Sequence, residues 1–360
     1  MVKTSRTKSG FTLVELIIVI AVIGVLAAIL IPVFSNVIDK ANTKSALSDA
    51  KNMLTRYLSE KTENGLYVSD TLLFVKKAGK LYLFGYDRDS GELTESSGNP
   101  YEAESADELL TQLVADGTVA EFGDTQEKVD FDGKLSEVTV WSGYSLITLS
   151  EDATNERVNV YVSISDEGTL ALARKKVNVY DADGDGSLTI NDTLMIAHKN
   201  YYSGGSSGYA TETTVWGLGI LKLWGVQNGG SYGYYVNNAS AWALTDTVSE
   251  NDYLYAFSYA DAATYTDTFS YFDINYSAAA TGEGVTLTLC YSGYDAEWNP
   301  VTSPLANAEI VINGERTSYI TQADGTVTVS FDEAGVYTVS AVSPSIENLV
   351  PPVCIIEISD

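Results

Sequence analysis

The stretch from Phe11 to Phe34, FTLVELIIVIAVIGVLAAILIPVF, carries a single charge, Glu15. As a helix it would be about 36 Å long, enough to cross a hydrocarbon core of roughly 30 Å. A secretory signal has a shorter apolar region, about 7–15 residues, with its cleavage site on the far side. Here the basic leader (Lys3, Arg6 and Lys8) stops at Gly10, on the near side of the run. Its positive charges hold that end in the cytoplasm. A lone carboxylate in an apolar environment costs several kcal/mol unless it is paired. Glu15 therefore selects an arrangement in which it meets a cation.

The residues SGFTLVELIIVIAVIGVLAAILIPVF resemble the type IV prepilin N-terminus shared by pilins and pseudopilins. The resemblance implies that a prepilin peptidase cuts between Gly10 and Phe11 and methylates the new amine of Phe11. It also implies that Glu15 pairs with the N-terminus of a neighbouring pilin subunit. Gly24 and Pro32 match positions where family helices loosen on assembly. Glycine is a poor helix former and proline removes a backbone donor.

The apolar pattern continues past Pro32. Phe34, Val37, Ile38, Ala41, Leu47, Ala50, Leu54, Tyr57 and Leu58 recur close to a 3.6-residue period, and Asn64-Gly65 offers a stop. The expectation is one stalk helix of about 50 residues, apolar first and amphipathic after. A strand-rich head follows, with candidate strands KLYLFGY, EVTVWSGYSLITL and RVNVYVSIS and a short helix at SADELLTQLVADG. The acids of YDRDSGEL lack a third ligand at calcium spacing and read as a solvated turn.

The clearest chemical motif is DADGDGSLTIND. An EF-hand-type loop needs oxygen ligands at positions 1, 3, 5, 7, 9 and 12, with glycine at 6. Those places fall on Asp181, Asp183, Asp185, Ser187 (through its carbonyl), Thr189 (through water) and Asp192, and Gly186 takes the turn. Aspartate at the last place resembles the dockerin-type loop. A dockerin has two such segments, and this chain has one, which suits an ion that staples a domain boundary. The following INDTLMIAHKNYY reads as a helix with Ile190, Leu194, Ala197 and Tyr201 along one side. His198, the only histidine, is expected at the surface or partly buried.

Beyond residue 210 the pieces YGYYVNNASAW and SENDYLYAFSY resemble the transcobalamin-like β-grasp module of bacterial surface proteins. That resemblance implies a helix packed on a sheet and does not extend to cobalamin. Trp216, Trp224, Tyr232, Tyr234, Tyr235 and Trp242 crowd this stretch, as core or as a ligand platform. From about Ala278, alternating strands such as GVTLTLCYSGYD and VCIIEIS read as an Ig-like sandwich. The run TQADGTVTVSFDEAGVYTVSA resembles bacterial surface Ig-like repeats. Cys290 lies on the threonine face of its strand and Cys354 on the Ile356/Ile358 face, which argues against a disulfide.

The fold class expected is therefore α+β: a long pilin helix with a strand-rich head, an EF-hand-like calcium loop, a β-grasp-like module and an Ig-like β-sandwich. The expected divisions are 1–10 leader, 11–62 helix, 63–172 head, 173–277 calcium loop plus β-grasp-like module, and 278–360 sandwich. With no nucleophile motif, phosphate loop or histidine cluster, no enzyme is expected. A net charge of -27 repels phosphate backbones, so no direct nucleic-acid binding is expected either. The function implied is a minor type IV pilin or pilin-like subunit. It is held in the cytoplasmic membrane before joining a surface filament, and its calcium-bound distal modules engage an unidentified surface ligand. The alternative is a pseudopilin of a type II secretion or DNA-uptake machine with a mechanical role.

Overall fold

The computed structural model describes residues 13–63, 69–121, 126–132, 137–147, 154, 156–230, 232–295, 297 and 299–360. The chain divides into two compact units. One holds most of the first 142 residues, and the other holds Arg88–Gly91, Leu113–Gln126 and Gly143–Asp360.

In the first unit, α1 (Leu13–Glu63) is one continuous helix of 51 residues that runs through Gly24 and Pro32. It ends immediately before Asn64-Gly65, which lie outside the described residues. Its described apolar side chains from Leu16 to Leu26 are exposed. Among the described residues no helix is long and apolar enough to cross a membrane. The span expected over Phe11–Phe34 includes several side chains outside that set, among them Glu15 and Pro32. The second half of α1 presents Ala46, Ala50, Leu54 and Tyr57, spaced to fall on one face of a helix. They pack on Leu73, Val75, Tyr82, Phe84, Phe131, Val138 and Val140. Those residues belong to a five-stranded antiparallel sheet ordered Glu92–Glu95, Lys80–Asp87, Thr71–Lys77, Glu137–Ser142, Glu127–Asp132. Leu72, Phe74, Leu81 and Leu83 on its other face are buried too. This is why LLFV and LYLF read as unbroken apolar runs rather than alternating ones. The expected short helix is α2 (Ala106–Ala115), and Lys128 ion-pairs with Asp107 in its first turn at 2.8 Å.

The second unit opens with a hairpin, Val158–Asp166 and Thr169–Val179, followed by α3 (Ile190–Tyr201). The sequence alone places RVNVYVSIS in the head and ends the head at 172. In the structure Val158–Asp166 pairs in parallel with Tyr253–Ser258, and residue 172 falls inside the second hairpin strand. The sheet order is Ala239–Ser240, Tyr232–Val236, Tyr253–Ser258, Val158–Asp166, Thr169–Val179. Within this sheet α3 covers one face: Ile190, Leu194 and Ala197 pack on Val160, Val162, Ile164, Val177, Leu254 and Ala256. Tyr201, the fourth residue of the expected stripe, is half-buried at its edge.

Two further sheets face each other across a core of Phe272, Leu287, Leu289, Ile310, Val327, Val339, Cys354 and Ile356. One contains Val285–Tyr294, and the other contains Gly335–Val342 and Cys354–Ser359. Cys354 faces inward with Ile356 and Ile358, and both cysteines are free thiols.

Strand alternation joins these layers. Leu254 and Ala256 point to α3, so Tyr253, Tyr255 and Phe257 point the other way. There they pack with Phe269, Val350 and Val353. Tyr235 stacks on Phe269 at 3.7 Å between ring centroids, and Tyr255 donates to the Pro351 carbonyl at 2.5 Å. The Arg174 guanidinium lies 3.9 Å from the Tyr161 ring centre and 5.0 Å from that of Tyr276, and its Nε donates to Asn275 at 2.8 Å.

Candidate functional site

The DADGDGSLTIND segment forms a tight loop between the second hairpin strand and α3. Gly184 and Gly186 take φ values of 78° and 87°, in the left-handed region that glycine adopts without strain. The loop brings one carboxylate oxygen from each of Asp181, Asp183 and Asp185 within 4.8 Å of the others. Backbone amides order this arrangement. Asp181 Oδ1 accepts from Gly184 N at 2.8 Å and Asp185 N at 3.1 Å, and Oδ2 accepts from Gly186 N at 2.9 Å and Thr154 N at 3.0 Å. Burial alone would raise the Asp181 pKa, but these four amides together outweigh it and hold it below the ordinary carboxylate range.

Asp192 has a different place. It is fully buried and forms a capping box with Thr189 at the start of α3. Its Oδ2 accepts from Thr189 N at 3.0 Å and from the Thr189 hydroxyl at 2.6 Å. Its Oδ1 accepts from Ala182 N at 2.8 Å and Asp183 N at 3.2 Å. It does not join the group of three. Burial raises its pKa, and the Asp183 charge adds to that, against partial relief from the hydrogen bonds. The Thr189 hydroxyl is committed to the cap, and the Ser187 amide donates to Asp185 Oδ1 at 2.9 Å. Leu188 is buried, its carbonyl accepts from Val248 N at 2.9 Å, and Thr189 bridges to Thr247. That contact ties the loop to the Thr247–Val248 segment.

Among the described residues no Lys or Arg forms an ion pair with these four aspartates. Three converging carboxylates without a cation repel one another at this separation. The donor set, hard oxygens only, fits a hard divalent ion such as calcium.

Other site residues fall elsewhere. Gly10 and Phe11 lie outside the described residues, as does the Glu15 side chain. Gly24 sits in α1 where an added methyl group would meet nothing within 4 Å. The crowded aromatics divide: Trp224, Tyr232 and Tyr234 pack on the core, Tyr235 joins the seam with Phe269, and Trp216 and Trp242 are 94% and 95% exposed. His198, expected at the surface or partly buried, is instead fully buried. Its Nδ1 lies 2.6 Å from the Leu194 carbonyl, and its Nε2 accepts from Trp224 N at 2.9 Å. Sequence reasoning misses this because Tyr209 and Trp224, which enclose the ring, come later in the chain.

Residues 5–31 match the prokaryotic N-terminal methylation motif. The type IV major alpha-pilin of Moraxella bovis is 32% identical over 126 residues, which cover 30% of this chain and 79% of that protein. The chain belongs to the type IV pilin family. This pilin is also 36% identical over 93 residues to the type IV major fimbrial protein FimA of Dichelobacter nodosus, covering 26% of itself and 49% of FimA. A fimbrial protein of Moraxella nonliquefaciens is 41% identical over 65 residues, covering 18% of this pilin and 42% of the relative. The chain thus spans about half or less of the length of these last two relatives. These relatives are fimbrial and pilin proteins.

Proposed function

We propose that this protein is a minor type IV pilin whose calcium-bound distal modules carry adhesion or partner binding. The convergence of Asp181, Asp183 and Asp185 in one amide-ordered loop carries the calcium part of the reading. In the filament, Glu15 pairs with the methylated amine of Phe11 on a neighbouring subunit, after cleavage behind Gly10. The apolar run holds the subunit in the cytoplasmic membrane until then, and the assembled protein is displayed on the cell surface. The methylation motif over residues 5–31 supports this. A hairpin, a helix and a later strand parallel to the first support a β-grasp-like module, here starting near residue 158. The two facing sheets support the Ig-like sandwich.

Calcium would be held by Asp181, Asp183 and Asp185, neutralising their mutual repulsion and closing the loop on α3. An ion bound only by the folded loop stabilises it by mass action, about 2.7 kcal/mol at a hundredfold excess over Kd. The full chain in detergent micelles is therefore expected to melt at a higher temperature in millimolar calcium than in chelator. Magnesium is expected to substitute poorly, because it demands tight octahedral geometry and sheds water reluctantly. Asp181→Ala is expected to remove the difference. Identical calorimetric scans of the unmodified protein with calcium and with chelator would reduce the motif to an acidic turn.

A further inference from the structure

The three loop carboxylates are not held alike. Asp181 is fixed by four backbone amides, and Asp185 holds the Ser187 amide within its own turn. Asp183 is exposed, and its well-formed side-chain partner comes from the first turn of α3: Asn191 Nδ2 donates to Asp183 Oδ2 at 2.8 Å. The other oxygen, Oδ1, has only a long 3.3 Å contact from Asp185 N and remains available as a ligand.

Asn191 is 4% exposed, in the first turn of α3. An Asn side chain can present either its NH2 or its carbonyl to a neighbour, and the hydrogen-bond network decides which. Here Asn191 Oδ1 accepts from the Tyr209 hydroxyl at 3.0 Å. Burial pushes the Tyr209 hydroxyl pKa far up, so it stays protonated and donates. Its ring stacks on His198 at 5.0 Å, which fixes where the hydroxyl points. With Oδ1 committed to Tyr209, Nδ2 must face Asp183. Without that hydroxyl, a flip of the amide would set a carbonyl against a carboxylate.

We propose that Tyr209 and Asn191 form a positioning relay that holds Asp183 in the rotamer a divalent cation requires. This rests on reading the loop as a calcium site. Neither residue touches the ion; each acts through the one before it, as outer-shell partners of metal ligands do. Removing such a partner costs roughly 10- to 100-fold in metal affinity.

The test is a calorimetric titration of chelator-stripped full chain in micelles with calcium chloride, for the unmodified protein, Tyr209→Phe and Asn191→Ala. Each variant is expected to raise the calcium Kd about tenfold. The calcium-induced rise in melting temperature should contract accordingly. A purely structural role for Tyr209 lowers melting in chelator and in calcium by the same amount and leaves Kd unchanged. Calcium binding by the unmodified protein, with both variants within about twofold of it, overturns the relay and leaves the site standing. No binding by the unmodified protein removes both. If Tyr209→Phe fails to fold, Asn191→Ala decides the matter alone.

Discussion

Lowering the pH from 7 to 5 places a proton on His198 only by breaking the seal around it. The Leu194 carbonyl, 2.6 Å from Nδ1, fixes the tautomer with its proton there, so Nε2 is left to accept from Trp224 N. A second proton at Nε2 would set two donors against each other in a fully buried space. Burial pushes the imidazole pKa down to about 4, with the Leu194 carbonyl pulling it partly back. The ordinary value is about 6.5, so between these limits the unfolded chain binds the extra proton and the folded chain does not. The stabilisation is complete above pH 6.5 and is lost as pH falls toward 4. At about 1.36 kcal/mol per pKa unit the full loss is roughly 3 kcal/mol, of which about 2 kcal/mol is gone by pH 5. For a unit of this size that lowers the melting temperature by roughly 4–8 °C. Carboxylates titrate over the same range, so the assay compares the protein with His198→Gln, in chelator, at pH 7 and 5. The unmodified protein is expected to show the steeper pH dependence, by about 2 kcal/mol. Because the chain has one histidine, 13C labelling of its ring gives a single resonance that reads the site directly. A resonance that titrates near pH 6.5 in the folded protein, or equal slopes for the two proteins, would refute the reasoning.

Two other perturbations test the architecture. Glu15→Ala should leave cleavage behind Gly10 intact, seen as a normal mass shift, while excluding the subunit from filaments; normal incorporation would sink the pairing argument. Phe269 is 2% exposed and stacked on Tyr235, so Phe269→Ala should cost about 3–5 kcal/mol. It should lower the melting of the α3 sheet and of the sandwich together, as followed by hydrogen exchange, whereas an effect confined to one would mean that the seam couples nothing.

The sequence exposes those features whose cause is local. The end of α1 before Asn64-Gly65, the stripe on α3 and the glycine-shaped acidic loop each follow from residues a few positions apart. The alternation that sends Cys354 inward, away from the threonine face that carries Cys290, is equally short-range. What stays hidden depends on partners far along the chain. Nothing near Val158–Asp166 announces that its parallel neighbour is Tyr253–Ser258, so the expected head boundary falls too late. The burial of His198 depends on Trp224, and the orientation of the Asn191 amide on Tyr209. Asp192 shows a different difficulty. Position 12 of a calcium loop and the third residue of a capping box are the same residue here, and spacing alone does not tell the two duties apart.

The seam of Tyr235, Tyr255, Phe257, Phe269 and Val350 has a mechanical consequence. A surface subunit under tension normally yields module by module, each giving up its slack in turn. Here the central strands of one sheet press their rings into the next pair of sheets, so one layer cannot peel away without stripping the other. Stretched from residue 158 to the C-terminus, the chain is expected to hold and then release in one event. Roughly 200 residues at about 3.5 Å each would release about 700 Å of thread, less the folded span, with no intermediate plateau.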